Sequence, residues 1–142
     1  MTIKIRDPRI GEMRVAEAMH AGVHTCDRDA PLTEVAATMA EERIHCIVVE
    51  SGSGDGGPPW GIVSDLDLVA AAMVRDLDDQ TAAGSAATPV LMVSPRETLE
   101  RAAQLMTEHG SSHLIVVDPE DQLPVGVLST LDIAAVLAEK AR

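Results

Sequence analysis

The sequence predicts an α/β (α+β) fold made of two βαββα repeats, on the strength of three blocks that occur twice in the same order. LTEVAATM at 32–39 returns as LERAAQLM at 99–106, HCIVVE at 45–50 as HLIVVD at 113–118, and GIVSDLD at 61–67 as GVLSTLD at 126–132. One apolar match could arise by chance. Three collinear ones, offset by about 65 to 68 residues, mark a duplicated unit.

Each repeat reads in the same order. Val23–Thr25 and Val90–Val93 are short extended segments. Leu32, Val35, Ala36 and Met39 recur at helical spacing, as do Leu99, Ala102, Ala103 and Met106. Pro31 suits the start of the first of these helices, and Ser94–Glu97 marks the matching turn. CIVV and LIVV are β-branched runs suited to buried strands. SGSGDGGPP and PEDQLP follow as turns, the first a flexible one. A third strand then enters each G-h-h-S stretch (h for apolar) and feeds a helix, predicted at Leu66–Leu77 and Leu131–Ala141. The repeats are drawn at 13–77 and 89–142, with 78–88 as a connector. Neither alone buries much surface, so the two are expected to pack together.

Composition excludes several classes. The 142 residues are 46% hydrophobic but only 1% aromatic, with Trp60 the sole aromatic residue and no Phe or Tyr. Ile, Val, Leu, Ala and Met must therefore form the core, and a base-stacking surface for single-stranded nucleic acid is ruled out. A net charge of −12 argues against phosphate backbones and anionic membranes as partners. No apolar run reaches the roughly 20 residues of a membrane span. MTIKIRDPRI lacks the apolar stretch of a secretory signal, and Cys26 and Cys46 do not make a disulfide framework. A reduced, cytoplasmic protein is the expectation.

Ser64 and Asp67 stand three apart ahead of an apolar run, and Ser129 and Asp132 do the same. S-x-x-D in that position is a helix N-cap. It is also a place where unpaired N–H groups and the helix dipole attract an anion. The two roles are compatible.

Paired units of this order, each ending in G-h-h-[ST]-x-x-D, resemble the cystathionine-β-synthase-type (CBS) domains, two of which form a Bateman module. The resemblance spans about residues 13 to 140 and, with no other domain in the sequence, is closest to stand-alone pairs. It implies two repeats packed with pseudo-twofold symmetry. It also implies clefts between them that hold adenosine compounds (AMP, ADP, ATP, S-adenosylmethionine or NAD), and a regulatory role, not a catalytic one. AMP is the favoured ligand and no cofactor is required.

On that resemblance Gly61 and Gly126 leave room for a ligand where a side chain would collide. Ser64 and Ser129 face its anionic group. Asp67 and Asp132 offer carboxylate oxygens to the ribose hydroxyls, as the acidic residue of dinucleotide-binding folds does. His45 and His113 stand where the family often has a phosphate-facing basic residue, and the backbone at Thr25 and Met92 approaches the adenine. Leu66 and Leu131 replace the polar residue many members carry before the aspartate, which disfavours a polyphosphate. Thr130 puts a hydroxyl where Asp65 puts a charge. The Ser129/Asp132 site is therefore expected to prefer phosphorylated ligands, and the Ser64/Asp67 site to be empty, weaker, or suited to an uncharged or cationic adenosyl group.

The apolar stretches LVAAAMV at 68–74 and IAAVLA at 133–138, together with the resemblance, predict a homodimer through the terminal helices. An unidentified regulated protein is a further expected partner. A purely structural dimerisation module is the alternative, and a metal-binding protein is less favoured. His20, His24, Cys26, His45 and Cys46 invite a zinc reading, but they lack ligand spacing, and the second repeat has Leu91, Val93 and Leu114 for His24, Cys26 and Cys46. No nucleophile elbow, Walker loop or dinucleotide-binding glycine pattern is present, so no catalytic residue is assigned.

Overall fold

The computed structural model describes residues 7–52 and 58–139. In chain order its elements are α1 (Pro8–Glu12), α2 (Val15–Ala18), β1 (His20–Ala21), β2 (Thr25–Cys26), α3 (Leu32–Glu42), β3 (Cys46–Val49), β4 (Gly61–Ser64), α4 (Asp65–Ala72), α5 (Ala82–Ser85), β5 (Met92–Val93), α6 (Leu99–His109), β6 (His113–Val117), β7 (Pro124–Ser129) and α7 (Thr130–Ala138). A 3₁₀ turn at Leu77–Asp79 precedes α5. The tip of the glycine-rich turn, at 53–57, and the end predicted for the last helix, at 140–141, lie outside the described residues.

The chain divides into two compact units. The first repeat's unit is Val23–Val90 with Glu120–Pro124. The second repeat's unit comprises the described residues of Met1–Gly22, Leu91–Pro119 and Val125–Arg142. The first has a sheet ordered β2-β3-β4, with β2 parallel and β4 antiparallel to β3. In the second the order is β1-β7-β6-β5, with β1 antiparallel to β7 and β5 parallel to β6.

The two cores are built alike. Leu32, Val35, Met39, Ile47, Val49, Val63, Leu68, Ala71 and Ala82 form one, and Leu99, Ala102, Met106, Leu114, Val116, Leu128, Ile133, Val136 and Val15 fill the matching places in the other. The last pair shows how each unit is completed. Val15 and Ala16 donate to the carbonyls of Glu97 and Pro95, and Leu99 donates to Met13. In the first repeat's unit Ala82 and Ala83 donate to Ala30 and Arg28, and Leu32 donates to Gln80. Residues 13–16 thus dock on the second repeat, and 80–83 on the first. The stretch drawn as a connector therefore carries α5 and a core residue, Ala82.

Both long helices end in a left-handed residue, Arg43 (φ 55°) after α3 and Gly110 (φ 60°) after α6. Their N–H groups bond to the carbonyls of Met39 and Met106, as do those of Ile44 and Ser111. The turns are equally long, so counting onward places His45 opposite Ser112 in the comparison of repeats, and Cys46 opposite His113. Strand pairing agrees, because Thr25 faces Val48 and Met92 faces Ile115. The sequence match of HCIVVE to HLIVVD is thus shifted by one residue. Helix α4 also stops short of Leu77. Gln80 donates to the carbonyls of Ala71 and Arg75, and Asp76 starts a new turn by accepting from Asp78 N.

Candidate functional site

Each G-h-h-S-x-x-D stretch runs a strand into a helix through a reciprocal cap. At α4, Ser64 Oγ accepts from Asp67 N at 3.2 Å, while Asp67 Oδ2 accepts from Ser64 N at 2.8 Å and from Ser64 Oγ at 2.9 Å. At α7, Ser129 Oγ accepts from Asp132 N at 3.1 Å, and Asp132 Oδ2 accepts from Ser129 N at 2.8 Å. Both carboxylates also lie in the first turn, where the helix dipole favours negative charge.

The second carboxylate oxygen differs between the units. Asp132 Oδ1 lies 2.9 Å from His20 Nδ1, and the Asp132 side chain is 8% exposed. Asp67 is half-buried, and its Oδ1 takes no hydrogen bond among the described residues.

Each signature glycine stands close against a neighbouring segment of its own unit. A Cβ on Gly126 would lie 2.6 Å from the His20 carbonyl oxygen and 2.9 Å from Met19 Sδ. On Gly61 it would meet Ala86 Cβ at 2.9 Å and Thr88 Cγ2 at 3.0 Å. In each unit the glycine admits a neighbouring backbone, which pairs at His20↔Val127 and Ala21↔Gly126 in one and at Ile62↔Ala87 in the other.

The remaining predicted residues fall around these turns. In the first repeat's unit, His45 O accepts from Asp65 N at 2.9 Å, and His45 Nδ1 lies 3.0 Å from Asp65 Oδ2. His45, Ser64 and Asp67 therefore cluster at one end of β4, while Gly61 lies three residues along, about 10 Å away. Thr25 is exposed on β2. It lines an open cavity of about 860 Å³ walled in part by Asp27, Asp29, Glu34 and Glu50. In the other unit Thr130 N donates to Ser112 O at 2.9 Å, His113 Nδ1 lies 3.0 Å from Ser112 Oγ, and Met92 is exposed opposite Ile115. His20 also stands at this turn, 2.9 Å from an aspartate too distant in sequence for any local pattern to join them.

Both cysteines are free. Burial, with Asp27, Glu50 and Glu34 nearby, pushes the Cys26 thiol up to about 11, and deeper burial near Asp65 pushes Cys46 up to about 12. Neither is a thiolate nucleophile at neutral pH. Among the described residues no group of three or more His, Cys, Asp or Glu side chains could hold a metal ion, and no helix is long and apolar enough to cross a membrane.

Two α/β units, each turning a strand into a helix through the same serine–aspartate cap, define a duplicated module. The chain belongs to the CBS-domain family, whose model matches residues 15–74 and 83–139. No curated protein matches it. Among solved structures it is similar to a hexameric CBS-CP12 protein from bloom-forming cyanobacteria, with TM-score 0.77 and 24% identity over 86% of this chain and 69% of that one. It also resembles the CBS domain pair of protein MJ0100, solved in complex with 5′-methylthioadenosine and S-adenosyl-L-methionine, with TM-score 0.78 and 18% identity over 89% and 100%. Hypoxic Response Protein I, solved with two coordinated zinc ions, matches with TM-score 0.70 and 24% identity over 87% and 98%.

Proposed function

We propose that this chain is a regulatory module that senses adenosine compounds through its two signature turns and catalyses no reaction. The observation that carries the reading is Asp67 Oδ1, which takes no hydrogen bond among the described residues, beside a capping serine at a helix N-terminus in a chain of the CBS-domain family. That oxygen suits a ribose hydroxyl, and the positive end of the α4 dipole suits a polar group next to it. The adenosine ligands held by the MJ0100 pair support the same class.

Thr25, His45, Gly61, Ser64 and Asp67 are the proposed contacts in one unit, and Met92, His113, Gly126, Ser129, Thr130 and Asp132 in the other. Asp65 and the acidic cavity wall suit the first set to an uncharged or cationic adenosyl group. Thr130 suits the second to a phosphate, with AMP favoured. Regulation requires the ligand to stabilise one arrangement of the module over another, with an unidentified protein as the regulated partner. Two free cysteines fit a reduced cytoplasm.

Exposed apolar side chains support a homodimer. Leu66 (72%), Val69, Met73 (84%) and Val74 stand out along and just beyond α4, as do Leu131 and Leu137 on α7. Light scattering at high micromolar concentration should give twice the monomer mass, and a monomer there would exclude the dimer.

Mass spectrometry of ligands released from purified protein, followed by thermal shifts with AMP, ADP, ATP, NAD and S-adenosylmethionine, tests the function. A binding compound at a hundred times its Kd adds about 2.7 kcal/mol and raises Tm by several degrees. A panel that moves nothing would favour the structural module.

A further inference from the structure

We propose that His20 is a built-in competitor for the Asp132 carboxylate, so that the residue at this position sets how readily each signature turn accepts a sugar hydroxyl. The inference rests on the adenosine reading and specifies how one of its two sites is regulated. His20 Nδ1 lies 2.9 Å from Asp132 Oδ1, while Oδ2 is taken by the backbone of Ser129. Both oxygens of a nearly buried carboxylate therefore have protein partners. An imidazole N–H and a ribose O–H are both donors, and each would approach the same oxygen.

The placement of His20 follows from the fold. Strand β1 pairs with β7 through His20↔Val127, and Gly126, which has no side chain, lets the His20 carbonyl come close. In the other unit Ala87 pairs with Ile62 in the same way, and Gly61 admits it. Ala87 thus holds the position that His20 holds, but its methyl group offers no hydrogen bond. Asp67 Oδ1 accordingly has no such partner among the described residues, although its cap matches that of Asp132.

The His20 side chain is 80% exposed, so it can swing into solvent when a ligand arrives. Ion pairs with one solvent-facing partner are weak. The competition therefore attenuates binding by a small factor and does not abolish it. A ligand at Asp132 must displace the imidazole, whereas one at Asp67 meets no such side chain among the described residues.

The test is calorimetry with AMP on wild type, Asp67→Ala, and Asp67→Ala combined with His20→Ala, which isolates the Asp132 turn. Removing His20 should tighten AMP binding about two- to fivefold. Conversely, Ala87→His in an Asp132→Ala background should weaken binding at Asp67 by a similar factor. Because His20 and Ala87 are exposed, neither change threatens folding. Unchanged or weaker binding without His20 overturns the competition and makes the imidazole a ligand contact or a bystander. So does silence in both Asp67→Ala proteins when wild type binds. Silence in every protein, wild type included, overturns the adenosine reading and this inference with it.

Discussion

The two units share matched cores, matched long helices and matched serine–aspartate caps, yet they differ at the next atom out. In the first repeat's unit the aspartate keeps an oxygen without a hydrogen bond among the described residues, and a cavity walled in part by Asp27, Arg28, Asp29, Glu34 and Glu50 lies on the same sheet. In the second repeat's unit the aspartate is nearly buried and closed by His20. Duplication therefore preserves what folding needs, a core and a capped helix, while residues outside that requirement have diverged. The signature itself is structural first, since its glycine admits a neighbouring strand and its serine and aspartate start a helix.

The largest contrast expected is in thiol chemistry, because only the first repeat's unit carries cysteines, with Val93 and His113 in the matching places. A thiol held up near 12 is ionised at pH 8 to about one part in ten thousand. Cys46 should therefore react with a thiol reagent some thousandfold more slowly than a free cysteine, and Cys26, at about 11, less slowly. Because both values lie above the working range, each rate should climb about tenfold per pH unit from 7 to 9 without levelling. A plateau near pH 8 would show that burial and the nearby carboxylates do not control these groups.

Core deletions should show the likeness. Leu32 and Leu99 are both fully buried and equivalently placed, so Leu32→Ala and Leu99→Ala should each cost about 2–5 kcal/mol by chemical denaturation. A negligible cost for either would break the equivalence of the cores. Glycine replacement should separate the units. Gly126→Ala sets a methyl against a backbone oxygen that cannot move without pulling β1 from β7, and about 3 kcal/mol is expected. Gly61→Ala meets the Ala86 and Thr88 side chains first and should cost about 1–2 kcal/mol. The reverse order would mean that β1 is loosely held.

A smaller effect is expected at the helix ends, where Arg43 adopts the left-handed conformation that Gly110 adopts in the other unit. Arg43→Gly should stabilise by about 0.5–1 kcal/mol, since glycine enters that region without Cβ strain. A loss of stability would show that the arginine side chain has a role the turn does not reveal.

Much of this was legible in the sequence because it depends on local pattern. The spacing of Leu32, Val35 and Met39, the β-branched runs and the two S-x-x-D caps each announce their element within a few residues. The register of β6 was not legible, because the matching histidines and valines of HCIVV and HLIVV outweigh the helix ends, where the shared left-handed turn sets the true count. The docking of residues 13–16 and 80–83 was hidden for another reason. Four-residue helices such as α2 and α5 have too few turns to show a periodic face, and their partners lie far along the chain. The family and the signature residues were recognisable, whereas the closure of Asp132 by His20 is a contact only the folded chain brings about.

The most direct test of the central claim, that equal caps make unequal sites, is calorimetry with adenosine on Asp67→Ala and Asp132→Ala. Adenosine lacks a phosphate, so its binding reports the ribose contact without the contribution of Thr130 or Asp65. Asp67→Ala should remove the tighter binding event, whereas Asp132→Ala should leave it within about twofold of wild type. Equal losses in the two variants, or a larger loss in Asp132→Ala, would contradict it.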